Sequence, residues 1–321
     1  MNNITIITKE NKKEIKNIGK IQFQCCWSLF KLLNTQYWNN PGEWFYDFIF
    51  SIIFMALFGF INQAVILDGS NNVLNAMKFK DILIGLITLN VISIGSFSMP
   101  SSVMEIKVSI LMKRIGSTPI RPWMFILTTF IYYFIMNSLI TLWSFLWILL
   151  LFGFQKFQLI LSENNTQTIM GYDLFFSTGK SYSSEWVGLI ISITYMNIIS
   201  IFIGLFNLST SKTSASLNIK GTMLYFASML LSGMLFPLSV ITNNKVLNVF
   251  SYLTPYRYSN SLVTISWLNG DIFNPYDAHT KLILENIGIN EIEVIISFVI
   301  PIIFVAISIG AMIKFFKWSI R

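Results

Sequence analysis

The sequence predicts an all-α polytopic membrane protein: about six transmembrane helices, an N-terminal amphipathic interfacial helix, a short cytoplasmic helix, and re-entrant outer segments after the fifth span. Three observations predict it. The 321 residues are 54% hydrophobic and only 12% charged, where soluble domains run near a quarter charged. Several apolar runs reach the roughly 20 residues that a helix needs to cross a hydrocarbon core of about 30 Å. The basic residues also fall unevenly between alternate connecting segments.

In chain order, residues 1–44 come first, mostly polar or amphipathic, with no apolar core near the start that would mark a cleavable leader. Ile15, Ile18, Cys25, Leu29 and Leu32 recur at helical spacing, with Lys13, Lys16, Lys20 and Lys31 left to face water and anionic headgroups. This predicts a helix lying along the inner leaflet. Asn40, Pro41 and Gly42 then break it and form a hinge into the first span. Cys25 and Cys26 are adjacent and read as free thiols.

The transmembrane domain covers 45–316, with spans at about 45–67, 82–104, 123–154, 186–208, 222–241 and 294–316. The third is overlong and must tilt or project from the bilayer. The fifth contains Gly233 and Pro237, so its helix should end or kink near Ser232 and let the following apolar stretch fold back. Residues 105–122 mix charge with apolar side chains and stop at Gly116, Pro119 and Pro122, which predicts a short amphipathic helix and a sharp turn. The outer loops are 155–185, rich in Ser, Thr and Asn, and 242–293, punctuated by Pro255 and Pro275. Residues 317–321 form a short C-terminal tail.

Of the 22 Lys and Arg, 15 fall on the side of the N-terminus when segments are assigned alternately, and 7 on the other. By the positive-inside rule both termini are cytoplasmic. The net charge of +7 is thus a topological signal; no basic stripe interleaves with aromatics as a nucleic-acid partner would require. Membrane lipid is the implied solvent, and a bacterial cell membrane the implied location.

Catalytic signatures are missing from the chain: it contains no GxxxxGK[ST], HExxH, CxxC or GxSxG. His279 has no second histidine to share a metal or a proton. We therefore expect no catalytic, metal-binding or cofactor-binding residues here. The spans also carry few ionisable groups, Asp47 at the inner edge of the first being the exception, which argues against an ion-coupled carrier. Asn62, Asn90, Asn137, Asn197 and Asn207 read as interhelical hydrogen-bonding groups.

Several motifs, in order, resemble the permease subunits of type-two ABC transporters, which export drugs, lipids or glycans. Asn40-Pro41 closes the entry helix and Leu57-Phe58-Gly59-Phe60 stands in the first span. Glu105, Lys113-Arg114 and Thr118-Pro119 follow in the cytoplasmic loop, although Ile106 occupies the place of the family's usual basic residue. Ser232-Gly233-Met234-Leu235-Phe236-Pro237-Leu238 matches the fifth-span signature, with Leu253-Thr254-Pro255-Tyr256 after it. The resemblance implies a homodimer or a pair with a paralogous permease, and a separate ABC ATPase subunit that binds ATP and Mg. It further implies multidrug or lipid efflux across the plasma membrane, with Glu105, Lys113, Arg114, Gly116, Thr118 and Pro119 forming the coupling helix. A non-transport scaffold or assembly subunit is the alternative, and a secondary transporter a more distant one.

Overall fold

The structure, a computed structural model, describes residues 24–67, 73–108, 122–162, 165–170, 182–268 and 270–315. Residues 24–39 form helix α1. Leu29, Leu33 and Tyr37, four residues apart, bury one face against Met99, Val103, Phe125 and Tyr132. Trp27 and Trp38 stay about half exposed on the other face, where an amphipathic ring suits a membrane interface. The expected interfacial helix is present from residue 24 onward; its earlier part lies outside the described residues.

Asn40 is extended, with φ −97° and ψ 95°, and Pro41 takes the first helical position after it. Proline lacks the N–H that the first turn would leave unpaired, so the new helix starts there without loss. This is α2, comprising Pro41–Trp44 and Ser51–Leu67 joined by a π-helical turn, Phe45–Phe50. Next comes α3, built from Val73–Ser93, a π-helical turn Ile94–Ser98, and Met99–Val108. Pro122–Ile148 with the π-helical turn Leu149–Gly153 forms α4. An antiparallel hairpin of β1 (Lys156–Ser162) and β2 (Asn165–Met170) follows, within what the sequence reads as a plain outer loop.

The second half of the chain contains α5 (Tyr182–Thr210), α6 (Ser214–Leu231), α7 (Leu238–Asn243), α8 (Lys245–Ser251), α9 (Pro255–Trp267), α10 (Ala278–Ile287) and α11 (Glu291–Phe315). Among the described residues, five helices are long and apolar enough to cross a membrane: Pro41–Ala64, Met77–Lys107, Trp123–Gly153, Trp186–Thr210 and Glu291–Met312. The predicted fifth span, 222–241, is not one of them. Its helix stops at Leu231, where Gly233 adopts φ +78° and Pro237 caps the restart at Leu238.

Two further expectations are corrected. Helix α3 begins well before residue 82 and runs through Glu105 to Val108, so Glu105 belongs to the span and not to a separate loop helix. Polar side chains lower hydropathy without breaking backbone hydrogen bonds, so the apolar run underestimates the helix.

Helix α3 is the centre of the bundle, 89% buried over its span window against 22% for both α2 and α11. Phe79, Ile82, Leu83, Leu86, Ile87 and Leu89 on α3 form its core with Ile148 and Phe152 of α4, Met196 of α5, and Tyr256 and Val263 of α9. The outward faces remain apolar as well: Ile53, Leu57, Phe60 and Ile61 on α2, and Ile295, Val299, Ile302 and Ile303 on α11, are exposed. A helix apolar on its inner and outer faces is adapted to lipid.

Candidate functional site

At the end of the bundle where α1 lies, two carboxylates are buried between α1, α2 and α3. Glu43 is 7% exposed and Asp47 1%. Four residues apart, they share one helical face, and Asp47 sits inside the π-helical turn Phe45–Phe50. Glu43 Oε1 accepts hydrogen bonds from Asn40 Nδ2 at 3.1 Å and Ser101 Oγ at 3.0 Å, and Oε2 accepts one from Ser102 Oγ. Asp47 Oδ2 accepts from the Tyr37 hydroxyl at 2.8 Å, while Oδ1 accepts from Ser98 Oγ at 2.8 Å and Ser93 Oγ at 3.4 Å. The Tyr37 phenol is pushed far above its ordinary value, first by burial and then by the Asp47 charge.

Ser93 and Ser98 flank the π-helical turn of α3, so two such turns face each other through Asp47. These turns recur at functional sites, where they re-aim side chains out of helical register. Gln36 Nε2 donates to the Ser102 carbonyl at 3.2 Å and to Glu105 Oε2 at 2.9 Å, and Glu105 is exposed. Of the six predicted coupling residues, Glu105 therefore stands at the mouth of this cage. Lys113, Arg114, Gly116, Thr118 and Pro119 lie outside the described residues.

A second polar seam lies where the fifth span breaks. Asp81 on α3 is 4% exposed; its Oδ2 accepts the Leu238 N–H at 2.9 Å and its Oδ1 accepts from Thr264 Oγ1 at 3.1 Å. Thr88 Oγ1 donates to Asn260 Oδ1 at 2.9 Å, and Asn260 Nδ2 donates to the Ser232 carbonyl at 2.8 Å. The carbonyl freed by the break at Gly233 is thus satisfied by α9, and the first free N–H after Pro237 is satisfied by Asp81. Met234 lies flat on Gly85, whose missing Cβ would come within 2.4 Å of its carbonyl oxygen.

Pro255, read from sequence as punctuating an outer loop, takes the first turn of α9. Every residue from Tyr256 to Trp267 is buried, although five of them are Ser, Thr or Asn, because the helix packs among α3, α5 and α11. The returning segment is therefore part of the interior. Arg257, counted from sequence among outer surface charges, is 2% exposed. Its Nη1 donates to Ser251 Oγ, its guanidinium lies 4.3 Å over the Tyr252 ring, and Nη2 is 3.7 Å from Glu293 Oε2.

The expectation of spans nearly free of ionisable groups is corrected by these positions: Glu43, Asp47, Lys80 and Asp81 are all buried in the bundle. The cause is that helix ends extend past the apolar runs and carry charged residues inward. The i, i+4 spacing of Glu43 and Asp47 beside the serine-rich run Ser96–Ser102 is the sequence signal that marks the cage. Of the asparagines, Asn90 Nδ2 does bridge to Ser144 Oγ at 2.7 Å, whereas Asn62 Nδ2 donates to its own helix at the Phe58 carbonyl.

No family model, no curated protein and no solved structure matches this chain.

Proposed function

We propose that the chain is the membrane-spanning permease subunit of an ATP-driven exporter, working as a homodimer or with a paralogous permease and served by a separate ABC ATPase. The observation that carries the reading is the break at Gly233–Pro237 followed by a helix, α9, that returns into the interior. It falls on the motif through which the sequence resembles type-two ABC permeases. The hinge at Asn40, Pro41 and Gly42 supports it too, since it lets α1 lie across α3 and α4 while α2 enters the bundle.

In this reading both termini are cytoplasmic and the α1 end of the bundle faces the ATPase. ATP binding closes the nucleotide domains, and the segment from Glu105 to Pro119 transmits that motion to α3 as a shift between two packings. Because α3 touches most of the core, displacement at its Glu105 end reaches α5 and α9 directly. The cargo is an amphipathic drug, lipid, peptide or glycan, taken through an interface lined by aromatic and neutral polar groups. ATP and Mg bind only the partner.

Alanine in place of Glu105, of the Lys113-Arg114 pair, or of Pro119 tests this. Surface charges of this kind contribute roughly 0–1 kcal/mol to stability, so each variant should insert and assemble like the parent yet lose transport or uncouple it from partner ATP hydrolysis. Parental transport by all three variants at matched expression would contradict the coupling role.

A further inference from the structure

We propose that Glu43 is a proton-binding site, alternating between a carboxylate and a neutral acid within the cage formed by α1, α2, α3 and α4. The inference rests on the chain alone and holds whether or not the exporter reading does.

Two charges of one sign in a low-dielectric interior are costly unless they are paired or neutralised. The partners of Glu43 and Asp47 are hydroxyl and amide donors, and together they occupy all four carboxylate oxygens. A metal ion would have to displace those donors, and no group of three or more His, Cys, Asp or Glu that could hold one occurs among the described residues. A proton displaces nothing provided that its new O–H finds an acceptor.

The structure holds such an acceptor unused. Tyr133 on α4 is fully buried, and its hydroxyl, close to Ser102, makes no hydrogen bond of ordinary geometry. When Glu43 Oε2 is protonated, the Glu43–Ser102 bond reverses. The acid donates to Ser102 Oγ, and the Ser102 hydroxyl turns to donate to Tyr133 Oη. One O–H bond forms on Oε2, one proton leaves the water at the mouth of the cage, and the otherwise orphaned phenol oxygen becomes the last acceptor of the chain.

The titratable groups facing the site are Tyr37 from α1, Asp47 from α2, Glu105 from α3, and Tyr132 and Tyr133 from α4. Asp47 has hydroxyl donors from Tyr37, Ser93 and Ser98 on both of its oxygens. Glu105, exposed and tied to Ser102 through Gln36, stands at the entrance.

Infrared difference titration of the purified full chain in nanodiscs tests the proposal without any ATPase or cargo. The parent should show a protonated-carboxyl C=O band that grows as pH falls and is absent from Glu43→Gln. Tyr133→Phe removes one hydroxyl and keeps the ring, so it keeps the test valid if the first variant fails to fold. Losing the terminal acceptor should move the midpoint to lower pH by the order of one unit. A band that survives Glu43→Gln, an unchanged midpoint in Tyr133→Phe, or loss of the band on adding sodium or potassium at constant pH would each overturn the assignment.

Discussion

Asp81 shows how a single carboxylate can hold a broken helix together. A helix that stops at Leu231 and restarts at Leu238 leaves backbone groups without helical partners, and in a bundle interior each unpaired group costs about 1–3 kcal/mol. Asp81 takes the Leu238 N–H and, through Thr264, also fixes α9. Asp81→Ala should therefore destabilise the protein by about 1–3 kcal/mol in detergent thermal unfolding. Asp81→Asn, which keeps one carbonyl acceptor, should lose roughly half of that. Equal melting of both variants and the parent would mean that the Leu238 N–H has another partner. Residues of this kind were the least legible in the sequence. The roles of Asn40, Pro41, Gly233 and Pro237 follow from backbone constraints that travel with the residue type. Those of Asp81, Arg257 and Glu43 depend on which distant elements meet them, which residue type alone does not fix.

Helix boundaries depend on local chemistry where Gly or Pro acts, and on packing elsewhere. The break near Ser232 falls where Gly233 and Pro237 predict, and Pro255 stands in the first turn of α9. The π-helical turn Ile94–Ser98 comes just before Pro100, which leaves the Ser96 carbonyl without a helical donor, and α3 outruns its apolar stretch at both ends. The β1–β2 hairpin was missed because its polar strands, Thr166 and Thr168 among them, resemble loop composition more than a half-buried strand. Contact between α3 and α5 depends on two glycines. A Cβ on Gly204 would lie 2.4 Å from the Gly95 carbonyl oxygen, and one on Gly95 would lie 2.3 Å from that of Ser200. Gly310 on α11 has nothing within 4 Å. Gly204→Ala should then cost about 1–3 kcal/mol by forcing the helices apart, whereas Gly310→Ala should be neutral or stabilising by up to about 1 kcal/mol. Melting curves that rank the two the other way would show that the glycine contact is not what sets the spacing.

At the scale of the whole molecule, apolar outer surfaces wrap an interior in which apolar packing is threaded by polar groups. Apolar side chains cover the outside of α2 and α11, and the carboxylates, hydroxyls and amides lie along α3 and α9, where the bundle is deepest. That inversion follows from the solvent: with hydrocarbon outside, hydrogen bonding is satisfied only within the protein. Composition made the membrane class plain, and the basic bias gave an orientation to test. Neither gave a hint of how the predicted break is held, because Asp81 stands 157 residues before Leu238 and Asn260 reaches Ser232 from a buried α9, 28 residues further on. The proposed function has the chain work with a separate ATPase, so its central claim is a physical association. The most direct measurement is isolation of the full chain from its native membrane in mild detergent, with the bound fraction assayed for ATP hydrolysis. The account predicts a stoichiometric ATPase subunit whose activity stays with the parent chain and is lost or uncoupled in Glu105→Ala; a purified chain that retains no ATPase, yet still moves its cargo after reconstitution, would contradict it.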